Sequence, residues 1–165
     1  KLREYNKKKE QLKALQKEKS FVNPLFYREI ENTMLKKSCM EYFLKEADGL
    51  NIIGLSGNLG AGKTTFVKAL LKSLGVTQNV VSPTFVLRRD YDAGFAQQNV
   101  HVIHIDAYRL EKPEQIYQVV SREELADKNN LVVVEWPELS ENIFQKIFLF
   151  EHVDEDMRKI SIKSV

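Results

Sequence analysis

Apolar positions follow two periods along this chain, and the alternation between them lays out its elements. Ile30, Met34, Leu35, Cys39, Tyr42, Phe43 and Leu44 recur at helical spacing and Asp48-Gly49 closes the run, which predicts one amphipathic helix over residues 29–47. NIIGLS (51–56) is short and apolar, as a buried strand should be. A second helical pattern through Phe66, Val67, Leu70, Leu71 and Leu74 stops at Gly75. FVLRRDY (85–91) and VHVIHID (100–106) read as strands joined by a turn-like DAGFAQQN (92–99). A helical segment around Glu114 to Val120 precedes LVVVE (131–135), whose β-branched run predicts a strand covered on both faces in the middle of the sheet. KIFLFEHV and RKISIKSV, separated by DEDM, predict a closing hairpin at the sheet edge. The order of elements gives an α/β fold, three-layered, with a mostly parallel central sheet and antiparallel additions.

Composition narrows this little: 165 residues suffice for one domain with a real core, and 43% apolar with 29% charged residues excludes a disordered chain. No apolar run approaches the roughly 20 residues that cross a bilayer, and the first residues are too charged for a secretory signal. The lone Cys39, read as a small core residue, cannot form an internal disulfide; a reducing, cytoplasmic setting without a membrane is expected. Residue 1 is Lys and not Met, so the natural start is expected to be missing. Charge does change the picture. Residues 1–20 carry a net +5 while the rest of the chain sums to −3. They are read as a basic N-terminal extension ahead of a domain spanning 21–165, either a solvated or half-helical tail or a contact for RNA or another acidic surface.

GNLGAGKT (57–64) satisfies G-x-x-x-x-G-K-[ST] and stands where that chemistry needs it, after a buried strand and opening a helix. Glycines at 57, 60 and 62 let the backbone of Gly57, Asn58, Leu59, Gly60, Ala61 and Gly62 curl its N–H groups around a polyphosphate, and the following helix points its positive end at the same charge. Lys63 would reach the β- and γ-phosphates, Thr64 would bind Mg²⁺, and Thr65 is placed for the α-phosphate region. The sequence is therefore read as a P-loop NTPase. It has no N-K-x-D or D-x-x-G motif, against a GTPase, and Arg88, Arg89, Arg109, Arg122 and Arg158 are too scattered for the arginine lid of a nucleotide kinase. ATP hydrolysis or ATP-gated binding remains.

Two apolar strands end in an acid: VIHID at Asp106 and LVVVE at Glu135. Both should reach the carboxyl edge of the sheet beside the phosphate loop. Glu135 is assigned to Mg²⁺ and its waters, and Asp106 to metal coordination or to orienting the attacking water. Trp136, the only tryptophan, would sit near the nucleotide, as packing or as recognition. His101 and His104 point to opposite faces of a strand, cannot converge on one ion, and are read as structural.

Taken in order, GNLGAGKTTF, SPTF (82–85), HIDAYRL (104–110) and VVVEWPE (132–138) resemble the TsaE (YjeE) family over about residues 25–165. These are bacterial P-loop ATPases of threonylcarbamoyladenosine (t6A) tRNA modification. The resemblance implies ATP and Mg²⁺ as ligands, Lys63 and Thr64 as the Walker A pair, and Thr84, flanked by Ser82 and Phe85, in a switch-like loop near the γ-phosphate. It places Asp106, Tyr108 and Arg109 in a D-x-Y-R motif and Glu135 with Trp136 in an E-W motif. It implies two partners, the threonylcarbamoyl transferase catalytic subunit (TsaD) and its paralogous companion (TsaB), with tRNA engaged through the complex, and an ATPase that is slow alone and resets that assembly. Asn58 stands where Asp is more common in the family, with little expected consequence, and Ala107 where a larger apolar residue is frequent. Rival readings are a small P-loop nucleoside or small-molecule kinase and a nucleotide-gated interaction module without meaningful hydrolysis.

Overall fold

The structure, a computed structural model, describes residues 25–28, 51–95, 98–144, 146–154 and 157–164. The basic tail 1–20 and the helix expected over 29–47 lie outside the described residues. Among the described residues, seven strands form one sheet: β1 (Leu25–Arg28), β2 (Ile52–Ser56), β3 (Arg88–Phe95), β4 (Gln98–Asp106), β5 (Asn130–Glu135), β6 (Lys146–Asp154) and β7 (Met157–Ser164). Their spatial order is β1-β7-β6-β2-β5-β4-β3. The four central strands, β6, β2, β5 and β4, run parallel, and antiparallel pairings add β3 on one side and β7 with β1 on the other. This is the mixed α/β sheet the pattern predicts.

Burial explains the parallel centre. Every residue from Val102 to Asp106 and from Val132 to Glu135 is buried, so both faces of β4 and β5 are covered. One face packs against α1 (Lys63–Ser73), whose Phe66, Val67, Leu70 and Leu71 join Ile53, Leu55, Val102, Val133 and Phe148 in a single apolar cluster. Full burial of such side chains is worth roughly 1.5–3 kcal/mol each. The opposite face, with Ile103, Ile105, Val132 and Val134, packs against Ile116, Val120, Leu125 and Phe144. Gly75 ends α1 as expected: at φ 85° it lets its own N–H reach the Lys72 carbonyl and the Val76 N–H the Leu71 carbonyl.

Three elements differ from the sequence pattern, and the helical segment expected around 114–120 is present with a further helix after it. The strand expected at 85–91 begins only at Arg88, because the Pro83 carbonyl takes the N–H groups of both Val86 and Leu87, and Leu87 sits at φ 65°. That local turn overrides the β-propensity of Phe85 and Val86 and leaves both exposed. The turn expected over 92–99 is mostly strand, with the ladder running on to Phe95 and Gln98, since backbone pairing asks nothing of polar side chains. Around 114–120, a 3₁₀ turn (Pro113–Gln115) leads into α2 (Ile116–Val119); a further helix, α3 (Arg122–Ala126), follows. Its start is a capping box in which Ser121 and Glu124 exchange side-chain-to-backbone hydrogen bonds. The closing hairpin of β6 and β7 is not the sheet edge, because β1 pairs outside β7.

The Arg88 guanidinium binds Glu124 and Asp90 and donates to the Val119 carbonyl, tying β3 to α2 and α3. The Arg88 hydrogen bonds, with help from the Ser121 backbone, hold the Glu124 carboxyl down at about 2. A depressed acid stabilises the fold above its unfolded value near 4.5 and loses that contribution as pH falls toward 2. Glu124→Gln should therefore cost about 1–2 kcal/mol at pH 7 after solvent screening, with the difference from the parent closing between pH 4.5 and 2 in chemical denaturation. Gly57→Ala should destabilise by about 2 kcal/mol or more, because at φ 144° a Cβ would lie 2.4 Å from the Phe150 carbonyl oxygen. Thermal unfolding of that variant measures it.

Candidate functional site

The parallel register sets Asp106 beside Glu135 and Glu135 beside Leu55, so three strand ends meet at one edge of the sheet. The loop 57–62 leaves β2 there and turns into α1, with Ala61 N–H bonded to the Asn58 carbonyl at 3.0 Å. Gly62, at φ 96°, takes the cap position without a side-chain cap, and no acid stands in the first turn of α1. The first N–H groups and positive end of the helix therefore face a cleft of about 230 Å³, with no side-chain cap among the described residues. Such an end is suited to an anion.

Lys63 is buried under this loop. Its ammonium donates to the carbonyls of Gly57 and Asn58, the latter at 3.1 Å, and lies 3.8 Å from the centre of the Trp136 ring. Burial lowers its pKa, opposed by the fields of Glu135, Glu138 and Asp106. All three contacts are to neutral groups, so a charged ligand entering the loop could draw the ammonium away without breaking an ion pair. Trp136 keeps its place through a left-handed backbone, φ 61°, and a ladder hydrogen bond from its N–H to the Leu55 carbonyl; its ring meets Tyr108 at 5.1 Å.

The Thr64 hydroxyl lies 2.9 Å from each carboxylate oxygen of Glu135. Asp106 is tied elsewhere: one oxygen accepts from the Thr84 hydroxyl and the other from the Tyr108 N–H, capping the 3₁₀ turn Ala107–Arg109. Since Thr84 gives its proton to Asp106, the Ser82 hydroxyl at 2.6 Å must donate to it. Among the described residues no group of three or more His, Cys, Asp or Glu side chains converges. A cation in this cleft would thus rely on Thr64, Glu135 and oxygens from a phosphate ligand and water, a donor set that suits a hard divalent ion. Lys63, Thr64, Thr65, Thr84, Asp106, Glu135 and Trp136 all line the cleft with residues 59–62, while Gly57 and Asn58 reach it through their carbonyls on Lys63.

Three contacts escape the sequence reading. His104 is fully buried, with Nε2 2.9 Å from Glu135 Oε1. A signal existed: residues 104 and 106 share a strand face, and the comparison of 101 with 104 passes over it. Ser56 hydrogen-bonds Glu138 beneath the loop, and His152 Nε2, on β6, donates to the Gly60 carbonyl at 2.7 Å. No local pattern announces either pairing. His101 stands apart, beside Asp90 and Asp92.

The family profile "Threonylcarbamoyl adenosine biosynthesis protein TsaE" matches residues 28–163. A Rickettsia felis protein named tRNA threonylcarbamoyladenosine biosynthesis protein TsaE is 36% identical over 116 residues, covering 68% of this chain and 64% of its own length. The Rickettsia typhi protein of the same name is 32% identical, covering 77% of this chain and 87% of that one. The crystal structure titled Bacillus subtilus YdiB matches the fold at a TM-score of 0.56, with 88% of each chain covered and 23% identity. With the motifs, the matched span and relatives at this identity in agreement, the chain belongs to the TsaE family of tRNA threonylcarbamoyladenosine biosynthesis proteins.

Proposed function

We propose that this chain binds ATP with Mg²⁺ and hydrolyses it to reset a threonylcarbamoyl-transfer assembly acting on tRNA. The observation that carries the reading is the Thr64 hydroxyl set against the Glu135 carboxylate, directly below an uncapped helix end and a buried lysine. In this reading the N–H groups of the loop take the phosphate oxygens, and Lys63 leaves the Gly57 and Asn58 carbonyls for the β- and γ-phosphates. Thr64 and Glu135 would hold Mg²⁺, which supplies charge neutralisation on the transferring phosphoryl group. Asp106 stands beside Glu135, and its bond to Thr84 couples the segment 82–87 to the end of β4.

Two observations support dependence on partners. No guanidinium lines the cleft among the described residues: Arg88 is held by Glu124 and Asp90, and Arg109 lies over the exposed Phe85 ring at 5.0 Å. A transition-state charge of that kind is worth about 10³–10⁵ in rate, so the chain alone should turn over slowly. Leu59, which lines the cleft, Phe85, next in sequence to the cleft residue Thr84, and Tyr108, whose ring meets Trp136, are 85%, 84% and 60% exposed, apolar surface suited to a protein partner. Subunits of the TsaD and TsaB type, which carry out the transfer, are the proposed partners, with tRNA reached through them and the cytoplasm as the setting. No helix among the described residues is long and apolar enough to cross a membrane.

Lys63→Ala should weaken ATP-Mg²⁺ binding by about ten- to a hundredfold in calorimetry, the worth of a charge-assisted contact. Glu135→Gln should keep most of the affinity and lose turnover by roughly a hundredfold or more in phosphate release. Pull-downs with the two subunits in ATP, ADP and no nucleotide, paired with multiple-turnover tRNA modification, test the whole reading. Preferential capture with ATP is expected, and equal capture in all three states would overturn it.

A further inference from the structure

The α1-facing side of β4 and β5 carries an imidazole among aliphatic positions. Val102 and Val133 on that face belong to the apolar core, and His104, between Val102 and Asp106, is 0% exposed. A polar ring buried this deeply costs free energy unless its nitrogens are bonded, and Nδ1 has no hydrogen-bond partner among the described residues. What His104 does have is Nε2 at 2.9 Å from Glu135 Oε1. An ionised carboxylate only accepts, so the proton of the bond sits on Nε2.

We propose that His104 is a positioning residue for Glu135, fastening Oε1 so that the carboxylate stays on Thr64 and Oε2 is left for the cation the pair would hold. The proposal rests on the metal reading of Thr64 and Glu135. The two carboxylate oxygens differ in their surroundings: Oε1 meets His104 and Thr64, whereas Oε2 meets Thr64 among the described residues. The terminal torsion of a glutamate is broad, so an unfastened carboxylate can swing about it and leave the orientation that meets Thr64. The Nε2–H bond removes that freedom. Among the described residues the bond to Glu135 is what offsets burying His104, since an aliphatic side chain would fill the same position without an unpaired nitrogen.

The test uses the full chain, ADP as probe, and calorimetry in Mg²⁺ and in EDTA. The parent should bind ADP more tightly with Mg²⁺. His104→Phe, which keeps a ring and lacks the donor, should match the parent in EDTA and lose about tenfold of the Mg²⁺-linked gain. His104→Gln, whose amide N–H can reach Oε1, should retain most of it, a rescue that a purely packing role would not give. Should His104→Phe fail to fold, His104→Met, equal in length to Gln without a donor, takes its place. A donor-less variant with the parent's Mg²⁺ gain, or His104→Gln losing as much as that variant, overturns the positioning role. A parent without any Mg²⁺ gain overturns the metal reading itself, and the proposal with it.

Discussion

Glu135 is 2% exposed, and a carboxylate taken out of water costs several kcal/mol unless donors meet it. The donors come from two other elements: Thr64 from the first turn of α1 and His104 from β4. Meeting that requirement needs α1 seated over the sheet and β4 running beside β5. It also explains why these strands tolerate charge at all. From Val132 to Val134 the strand is buried and aliphatic, and the acid appears only where the sheet ends and the loop 57–62 closes over it.

The apolar bulk of the molecule and its polar edge are therefore one construction. The two clusters on either face hold the four parallel strands in register, and register alone brings Leu55, Glu135 and Asp106 side by side. Above them, the side chains are tied by bonds that a ligand can redistribute. Lys63 rests on two carbonyls and an indole, and Thr84 is linked to Asp106 within a turn that exposes Phe85. A sheet edge set by core packing, under side chains tied by single hydrogen bonds, is the mechanical basis on which the proposed response to a bound phosphate would rest.

Much of this is written locally. The helical run from Phe66 to Leu74 with its Gly75 stop, the buried strands at 52–56 and 130–135, and the loop between Gly57 and Thr64 each depend on residues close in sequence, through periodicity and backbone sterics. Strand ends carrying Asp106 and Glu135 could be assigned to the same edge because parallel strands share a direction. The Ser121–Glu124 capping box was equally visible as S-x-x-E, and the α3 helix it starts could have been read from it.

The tertiary structure decided what depends on contacts between distant segments. Phe85 and Val86 have strand propensity, yet the Pro83 turn and the Thr84 tether to Asp106 expose them. β1 completes the sheet beyond β7 because an open edge accepts any strand that reaches it, a choice no spacing encodes. Glu135 and Asp106 look alike as strand-final acids, and only packing separates them: Thr64 and His104 close on the first, Thr84 and the Tyr108 N–H on the second. The sequence determined which side chains reach the edge of the sheet, since that follows from local periodicity. Which of them touch was settled by the register and by α1 folding back, because a hydrogen bond between residues 31 or 71 positions apart exists only once the chain is packed.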